Sequence, residues 1–386
     1  MNDSRLHILM ADPHSQGGGQ VRYVINLARE LSRLGHQITL ACRPGSLLAE
    51  QGREIGVTVL DTFTFRGGLR PGAWMHDLQA ALRFIRNEAP DILHVSGSQD
   101  HWTFGVANRL LGHPACLVRT RHNTYSVKDN FPNRLLNRHW TDYEIVVCEV
   151  VRRTLSAQRA FDPARLCSIH NGVDAELFTA KPESRTKMRA EFGYTDEDIV
   201  IGIVARLTPA KGHTFLFKAA AQIKNQFPHL RILVLGQGEL ESALKEQVEH
   251  LGLTERVHFA GFRRDMDQCL QAVDIGVQPS IDCDTSSFSL KEMMALEIPV
   301  IASDYGGLKE IVSDGVEGMI VRTGTVEPLA SALHRMLDSA EVRARMGRMG
   351  RHRVLADFTV EVFARRTEQA YRRAMGMCRQ QYGRKG

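Results

Sequence analysis

Short apolar runs alternate along this chain with longer stretches whose apolar positions recur at helical spacing. Residues 6–10 are apolar and short enough for a buried strand. After a polar loop, Val21, Val24, Ile25, Ala28, Leu31 and Leu34 share one helical face, with Gly35 past its end. Residues 37–41 complete a βαβ unit. Over 73–87, Trp74, Met75, Leu78, Ala81, Leu82 and Ile85 form a stripe suited to core packing. Strands follow at 90–95, 116–120, 144–148 and 167–170, with a helix starting near Glu149. A polar stretch, 179–198, reads as a connection. A second alternation then gives strands at 199–205, 231–235, 257–260, 275–278 and 299–303. Helices fall at 213–226, 239–251, 266–273, 289–296 and from 327 onward. Strands that alternate with helices in this way predict two doubly wound parallel α/β sheets in tandem.

The loops after the strands carry the candidate chemistry. Arg206 and Lys211 lie on a loop punctuated by Pro209 and Gly212, between a strand and a helix. Ligands of open α/β sheets bind at such strand ends. Two cations beside a positive helix end suit a diphosphate; two solvated charges on an ordinary loop are the other reading. Gly17, Gly18 and Gly19 do not fit the G-x-G-x-x-G dinucleotide pattern. They admit close backbone approach to a ligand, or simply a flexible turn. His14, His94, His101, Arg121 and His122 collect near the strand ends of the first sheet. Further on, Glu292 is expected in the first turn of a helix, facing Arg206 and Lys211, where a carboxylate could accept both hydroxyls of a ribose.

The chain has 386 residues, 43% apolar and 24% charged, which is a soluble two-domain composition. No apolar stretch is long enough to span a membrane. Seven scattered cysteines without a C-x-x-C pair argue for reduced thiols, no structural zinc and a cytoplasmic setting. The net charge of +5 is uneven: residues 365–386 carry seven basic side chains against Glu368, so the rest sums to about −1. That basic segment suits an anionic membrane surface, or is a solvated helix face. No nucleic-acid-binding signature accompanies it.

Taken together, Arg206…Lys211-Gly212, the acidic-x7-Glu292 stretch, residues 299–303, Gly306-Gly-Leu-Lys-Glu310, the three glycines at 17–19 and Asn171-Gly-Val-Asp174 resemble glycosyltransferase family 4 over nearly the whole chain. The resemblance implies the GT-B fold, two Rossmann-like domains facing a cleft. It also implies a retaining transferase that uses a nucleotide-diphosphate sugar, with no metal or other cofactor. By that resemblance the catalytic residues are His122, Arg206, Lys211 and Asp284. The cationic pair holds the diphosphate, Asp284 faces the transferred sugar and Glu292 holds the ribose. Gly18, Gly19, Gly238, Phe262, Ser287, Phe288 and Ser289 join Arg206, Lys211 and Glu292 around the donor. The acceptor would be a glycan or lipid-linked molecule of lipopolysaccharide or other surface-polysaccharide synthesis, met in the cytoplasm or on the inner membrane face. The implied domains are 1–178 for the acceptor and 199–360 for the donor, with 179–198 between them. The basic helix 361–386 would return to the first domain.

Four positions, in three places, depart from the family pattern. Asp284 replaces the usual Glu, Ser286 and Ser287 stand for glycines, and Glu297 occupies a helix-ending glycine position. A left-handed non-glycine there costs about 1–2 kcal/mol. Other functions remain open to these residues. Asp282-Cys-Asp284 spells a D-x-D metal motif. Asp284 and Glu292 could pair as in a glycoside hydrolase. A nucleotide-sugar epimerase or a non-catalytic nucleotide-sugar-binding protein would share much of the architecture.

Overall fold

The computed structural model describes residues 5–66, 70–123 and 127–382. Arg384 and Lys385, part of the basic segment, lie outside them. The chain forms two compact units: Met1–Gly172 together with Val360–Gly386, and Val173–Thr359.

The first unit holds seven strands: β1 (His7–Ala11), β2 (Gln37–Ala41), β3 (Thr58–Leu60), β4 (Ile92–Val95), β5 (Cys116–Arg121), β6 (Tyr143–Val146) and β7 (Leu166–Ser168). They pair in the order β3-β2-β1-β4-β5-β6-β7, all parallel. The order reverses between β1 and β4, so the loops after these two strands diverge and leave a crevice. Alternation along each strand sends Leu9, Ala11, Leu93, Val95 and Leu117 into one layer with Leu78, Ala81, Ile85 and Phe104. The helix Val360–Tyr382 belongs to this unit and packs beside the helix Gly19–Arg33 and β5.

The second unit has six strands: β8 (Ile199–Val204), β9 (Leu230–Leu235), β10 (Val257–Gly261), β11 (Ile275–Gln278), β12 (Val300–Ser303) and β13 (Gly318–Val321). Their order is β10-β9-β8-β11-β12-β13, again parallel throughout. Ile201, Ile203, Ile232, Val234, Ile275 and Val277 face one hydrophobic layer. Val200, Leu233, Leu235, Val300 and Ala302 face the other. Strands buried on both faces read as near-continuous apolar runs, as β8 does, whereas the edge strand β10 is only partly buried and carries His258. Here the order reverses between β8 and β11.

Several expectations change. Residues 179–198 contain a helix, Pro182–Glu191, that is part of the second unit rather than a free connection. Met188 is buried there, and Arg189 pairs with Asp274 at 3.1 Å. In the helix Pro71–Glu88, Trp74 is 38% and Met75 47% exposed, while Phe84 is buried. The core-facing stripe is therefore narrower, and rotated toward Phe84, relative to the sequence pattern. Glu297 does take the left-handed conformation, at φ 61°. A Cβ on Gly347 would meet the Glu297 carbonyl oxygen at 1.8 Å, so the helix Ala340–Asp357 crosses that turn backbone to backbone.

Candidate donor site

β8 ends at the switch point of the second sheet, and its loop bears Arg206 and Lys211. Arg206 is exposed, and its guanidinium makes no hydrogen bond or ion pair among the described residues. Lys211 ends a single 3-10 turn, Pro209–Lys211, followed by Gly212 at φ 74°. A Cβ at Gly212 would stand 2.0 Å from the Pro279 carbonyl oxygen, so only glycine lets this loop approach the loop after β11. The Ile281 and Asp282 amides donate to the Ala210 carbonyl at 2.8 and 3.2 Å, tying the two loops together.

That approach brings Lys211 to Asp284, Nζ to Oδ2 at 3.0 Å, with side chains only 17% and 6% exposed. The same Oδ2 accepts from Gln278 Nε2 at 2.9 Å and Ser280 Oγ at 2.8 Å. Gly306, at φ 55°, lies against the Asp284 carbonyl, where a Cβ would meet it at 2.1 Å. Asp282 points elsewhere: its Oδ1 accepts from Tyr305 Oη and from the Cys283 amide, each at 2.7 Å.

Ser287 caps the helix Phe288–Ala295, accepting from the Leu290 amide at 3.3 Å, and its Oγ lies 3.0 Å from Ser289 Oγ. Ser289 donates to Gln278 Oε1 at 3.2 Å. Ser286 accepts from Lys291 Nζ at 2.7 Å, a fully buried ammonium that also lies over the Phe358 ring. Neither Ser286 nor Ser287 takes a positive φ; the left-handed residue of this loop is Cys283, at 52°. The serines therefore stand in for glycine without backbone strain. Glu292 is the fifth residue of its helix and buried, one turn later than the first-turn position expected for it.

Two further loops, after β9 and β10, converge with the β8 loop backbone to backbone. A Cβ on Gly236 would sit 2.0 Å from the Ala205 carbonyl, and one on Gly238 2.5 Å from that of Leu207. The Gly236 amide donates to the Gly261 carbonyl at 2.8 Å. Gly238 is thus needed for loop packing whether or not a ligand lies against it. Phe262, next to Gly261, is 64% exposed. Phe288 is half-buried.

The remaining assigned residues lie in the first unit. Gly18 and Gly19 are exposed at the start of the helix Gly19–Arg33. Asp12, fully buried after β1, organises that loop: it accepts from the His14 amide and Nδ1 at 2.7 and 2.8 Å, and from Gln20 Nε2 at 2.8 Å. The hydrogen bond that His14 donates to Asp12 raises the His14 pKa. His122 follows β5 and meets the Tyr23 ring edge-on at 4.6 Å. Burial lowers its pKa to about 4, which keeps the imidazole neutral near pH 7. His94 is a buried network residue, bonded to Tyr371 Oη at 2.6 Å and Thr120 Oγ1 at 2.7 Å. His101 is likewise buried, between Thr141 and Arg119.

Among the described residues one cluster, His113, Asp142 and Cys378, groups possible metal-ligating atoms. Asn108 uses both ends of its amide on Ala115, which turns its Nδ2 toward His113 Nδ1. His113 Nε2 lies 2.8 Å from Asp142 Oδ2; burial opposes the charged ring, but the bonds to Asp142 and Cys378 raise the His113 pKa to about 8.

Comparison with known proteins agrees with this architecture. Residues 17–177 match the family model described as Glycosyltransferase Family 4, and residues 184–353 that described as Glycosyl transferases group 1. A D-inositol 3-phosphate glycosyltransferase of Mycobacteroides abscessus is 30% identical over 359 residues, 83% of this chain and 77% of that protein. A GDP-mannose-dependent monoacylated alpha-(1-6)-phosphatidylinositol monomannoside mannosyltransferase of Corynebacterium glutamicum is 33% identical over 205 residues, 51% of this chain and 53% of that protein. With several curated relatives the match spans about half of their length or less. The crystal structure of a glycosyltransferase from Rickettsia africae ESF-5 shares the fold, with a TM-score of 0.86 at 20% identity over 96% of this chain and 99% of that one. The chain belongs to the glycosyltransferases that these two models describe, and its two parallel α/β sheets are those of the GT-B architecture.

Proposed function

We propose that the protein is a retaining glycosyltransferase that moves a sugar from a nucleotide-diphosphate sugar to a glycan or lipid-linked acceptor. The observation that carries this reading is the exposed, uncommitted Arg206 beside the Lys211–Asp284 pair at the switch point of a parallel sheet. Arg206 offers a cation to the leaving diphosphate, and Lys211 a second one. Asp284 faces the transferred sugar through Oδ1, to which no described residue donates. The bond from the anomeric carbon to the phosphate oxygen breaks as the acceptor oxygen bonds to the same face. The acceptor's proton passes to the leaving phosphate. The family resemblance assigns the neutral His122 of the first unit to the sugar and acceptor. The two cations supply the charge that a metal ion provides elsewhere, so no cofactor enters this reading.

A role in lipopolysaccharide or other surface-polysaccharide synthesis is supported by relatives named for lipid-linked acceptors. Arg365, Arg366, Arg373 and Arg379 are exposed on the helix Val360–Tyr382, which supports peripheral contact with an anionic membrane face. No helix among the described residues is long and apolar enough to cross a membrane.

The test is product analysis by NMR after incubation with α-linked UDP- and GDP-sugars and a panel of glycan and lipid-linked acceptors. Release of the nucleoside diphosphate with an α-linked product is expected. A β-linked product would refute retention, and interconversion of nucleotide sugars without an acceptor would favour an epimerase.

A further inference from the structure

We infer that Gln278 is a positioning residue that fixes the carboxylate of Asp284 for the sugar of the donor; this rests on the glycosyl-transfer reading above. Gln278 ends β11 and is 1% exposed. A buried amide is tolerated only when its hydrogen bonds are made, and this one has a partner at each end. Its Nε2 donates to Asp284 Oδ2 and to Ser280 Oγ, both at 2.9 Å, and its Oε1 accepts from Ser289. Ser280 donates in turn to the same Oδ2 at 2.8 Å, and Lys211 reaches it at 3.0 Å. Three donors on one oxygen define the rotation of the carboxylate and leave Oδ1 to accept a ligand hydroxyl.

The shorter arm of Asp284 thereby gains a defined direction. Lys211 alone would supply charge but little orientation, since an ammonium is a point charge on a flexible stem. The planar amide of Gln278, itself held by Ser289 at the helix start, supplies the orientation. Ser289 contacts Ser287, the cap of that helix, so one network registers the helix N-terminus against Asp284. Glutamine at the end of a buried apolar strand carries no functional signal in sequence, because its partners lie up to 11 residues away and on another element.

The experiment compares wild type with Gln278→Met, which keeps the volume and removes the amide. Steady-state kinetics give kcat and KM for the nucleotide sugar, and thermal shift gives binding of the nucleoside diphosphate alone. Gln278→Met is expected to lower kcat about tenfold to a hundredfold, as for a misplaced reacting group. KM should stay within about threefold, and the diphosphate shift should be retained. Should that variant fail to fold, Gln278→Glu keeps the shape and donates to Asp284 only when the introduced carboxyl is protonated. Its kcat relative to wild type should rise as pH falls from about 8 to about 6. The other charged or titratable groups on the surrounding elements are Arg206, Lys211, His213, Asp282, Cys283, Lys291, Glu292, Asp304 and Tyr305, and both proteins keep them. Wild-type kcat in the variants, a pH-independent ratio, or a joint loss of kcat and diphosphate binding overturns the inference. Failure of every nucleoside diphosphate to stabilise the wild type would instead defeat the glycosyl-transfer reading, and this inference with it.

Discussion

Gly212→Ala tests whether loop contact positions Lys211. Gly212 has φ 74°, and a Cβ there would meet the Pro279 carbonyl oxygen at 2.0 Å and its carbon at 2.9 Å. Left-handed alanine costs about 1–2 kcal/mol. Carbon and oxygen need about 3.2 Å, so Pro279 must retreat by roughly 1 Å, and backbone shifts forced by overpacking cost about 1–3 kcal/mol more. The total is about 2–5 kcal/mol. Gly315 supplies the control in the same unit: φ is 77° and nothing lies within 4 Å, so Gly315→Ala bears only the conformational cost. Urea unfolding followed by circular dichroism should place Gly212→Ala below Gly315→Ala by the clash alone. The retreat also strains the bonds from Ile281 and Asp282 to Ala210 and draws Asp284 from Lys211. Turnover should fall about a hundredfold in Gly212→Ala and stay unchanged in Gly315→Ala. Equal unfolding midpoints in the two variants, or wild-type turnover in Gly212→Ala, would refute the reasoning.

Lys211→Ala should lower turnover by about two to three orders of magnitude with the fold retained, as loss of a charge-stabilising donor does; steady-state assay and circular dichroism check it together. Burial raises the Asp100 pKa to about 6. The stability its protonated form contributes is present below about pH 4 and lost as pH rises through about 6. Asp100→Asn should therefore melt above wild type at pH 8, by up to about 2–3 kcal/mol of stability, and the gap should close by pH 4; a pH-independent gap contradicts this. Truncation after Arg372 would strip the buried Ala374 and Cys378, so charge reversal is the cleaner test of membrane contact. Arg365→Glu with Arg379→Glu should weaken binding to anionic vesicles tenfold or more, at about 1 kcal/mol per basic side chain; unchanged sedimentation with vesicles argues against the membrane role.

The strands were legible because parallel strands buried on both faces leave continuous apolar runs, and 199–204 and 232–235 are such runs. The helix Pro182–Glu191 was not legible as part of the second unit. Its buried Arg189 is polar in sequence and becomes a core residue through Asp274, 85 positions away, and the carbonyls of Thr195, Asp198 and Ala272. Arg206 and Lys211 stood out by their place between strand and helix. Their neighbours Gln278 and Ser280 did not, because burial of a polar side chain depends on partners that local pattern cannot show. Asp12 escaped although its partner His14 stood out, because its complete burial and its bond to Gln20 appear only in the folded loop. The serines at 286 and 287 show the converse, since the strain their sequence position suggested falls instead on Cys283.

The central claim is that the loops after β8 and β11 bind a nucleotide diphosphate. Thermal unfolding with UDP, GDP, ADP and their sugar conjugates, on wild type and Arg206→Ala, tests it most directly. A ligand that binds only the native state raises the melting temperature by mass action, worth about 2.7 kcal/mol at a hundred times Kd. One diphosphate should stabilise the wild type, and Arg206→Ala should lose that shift. No shift with any of them, or an equal shift in the variant, would contradict the account.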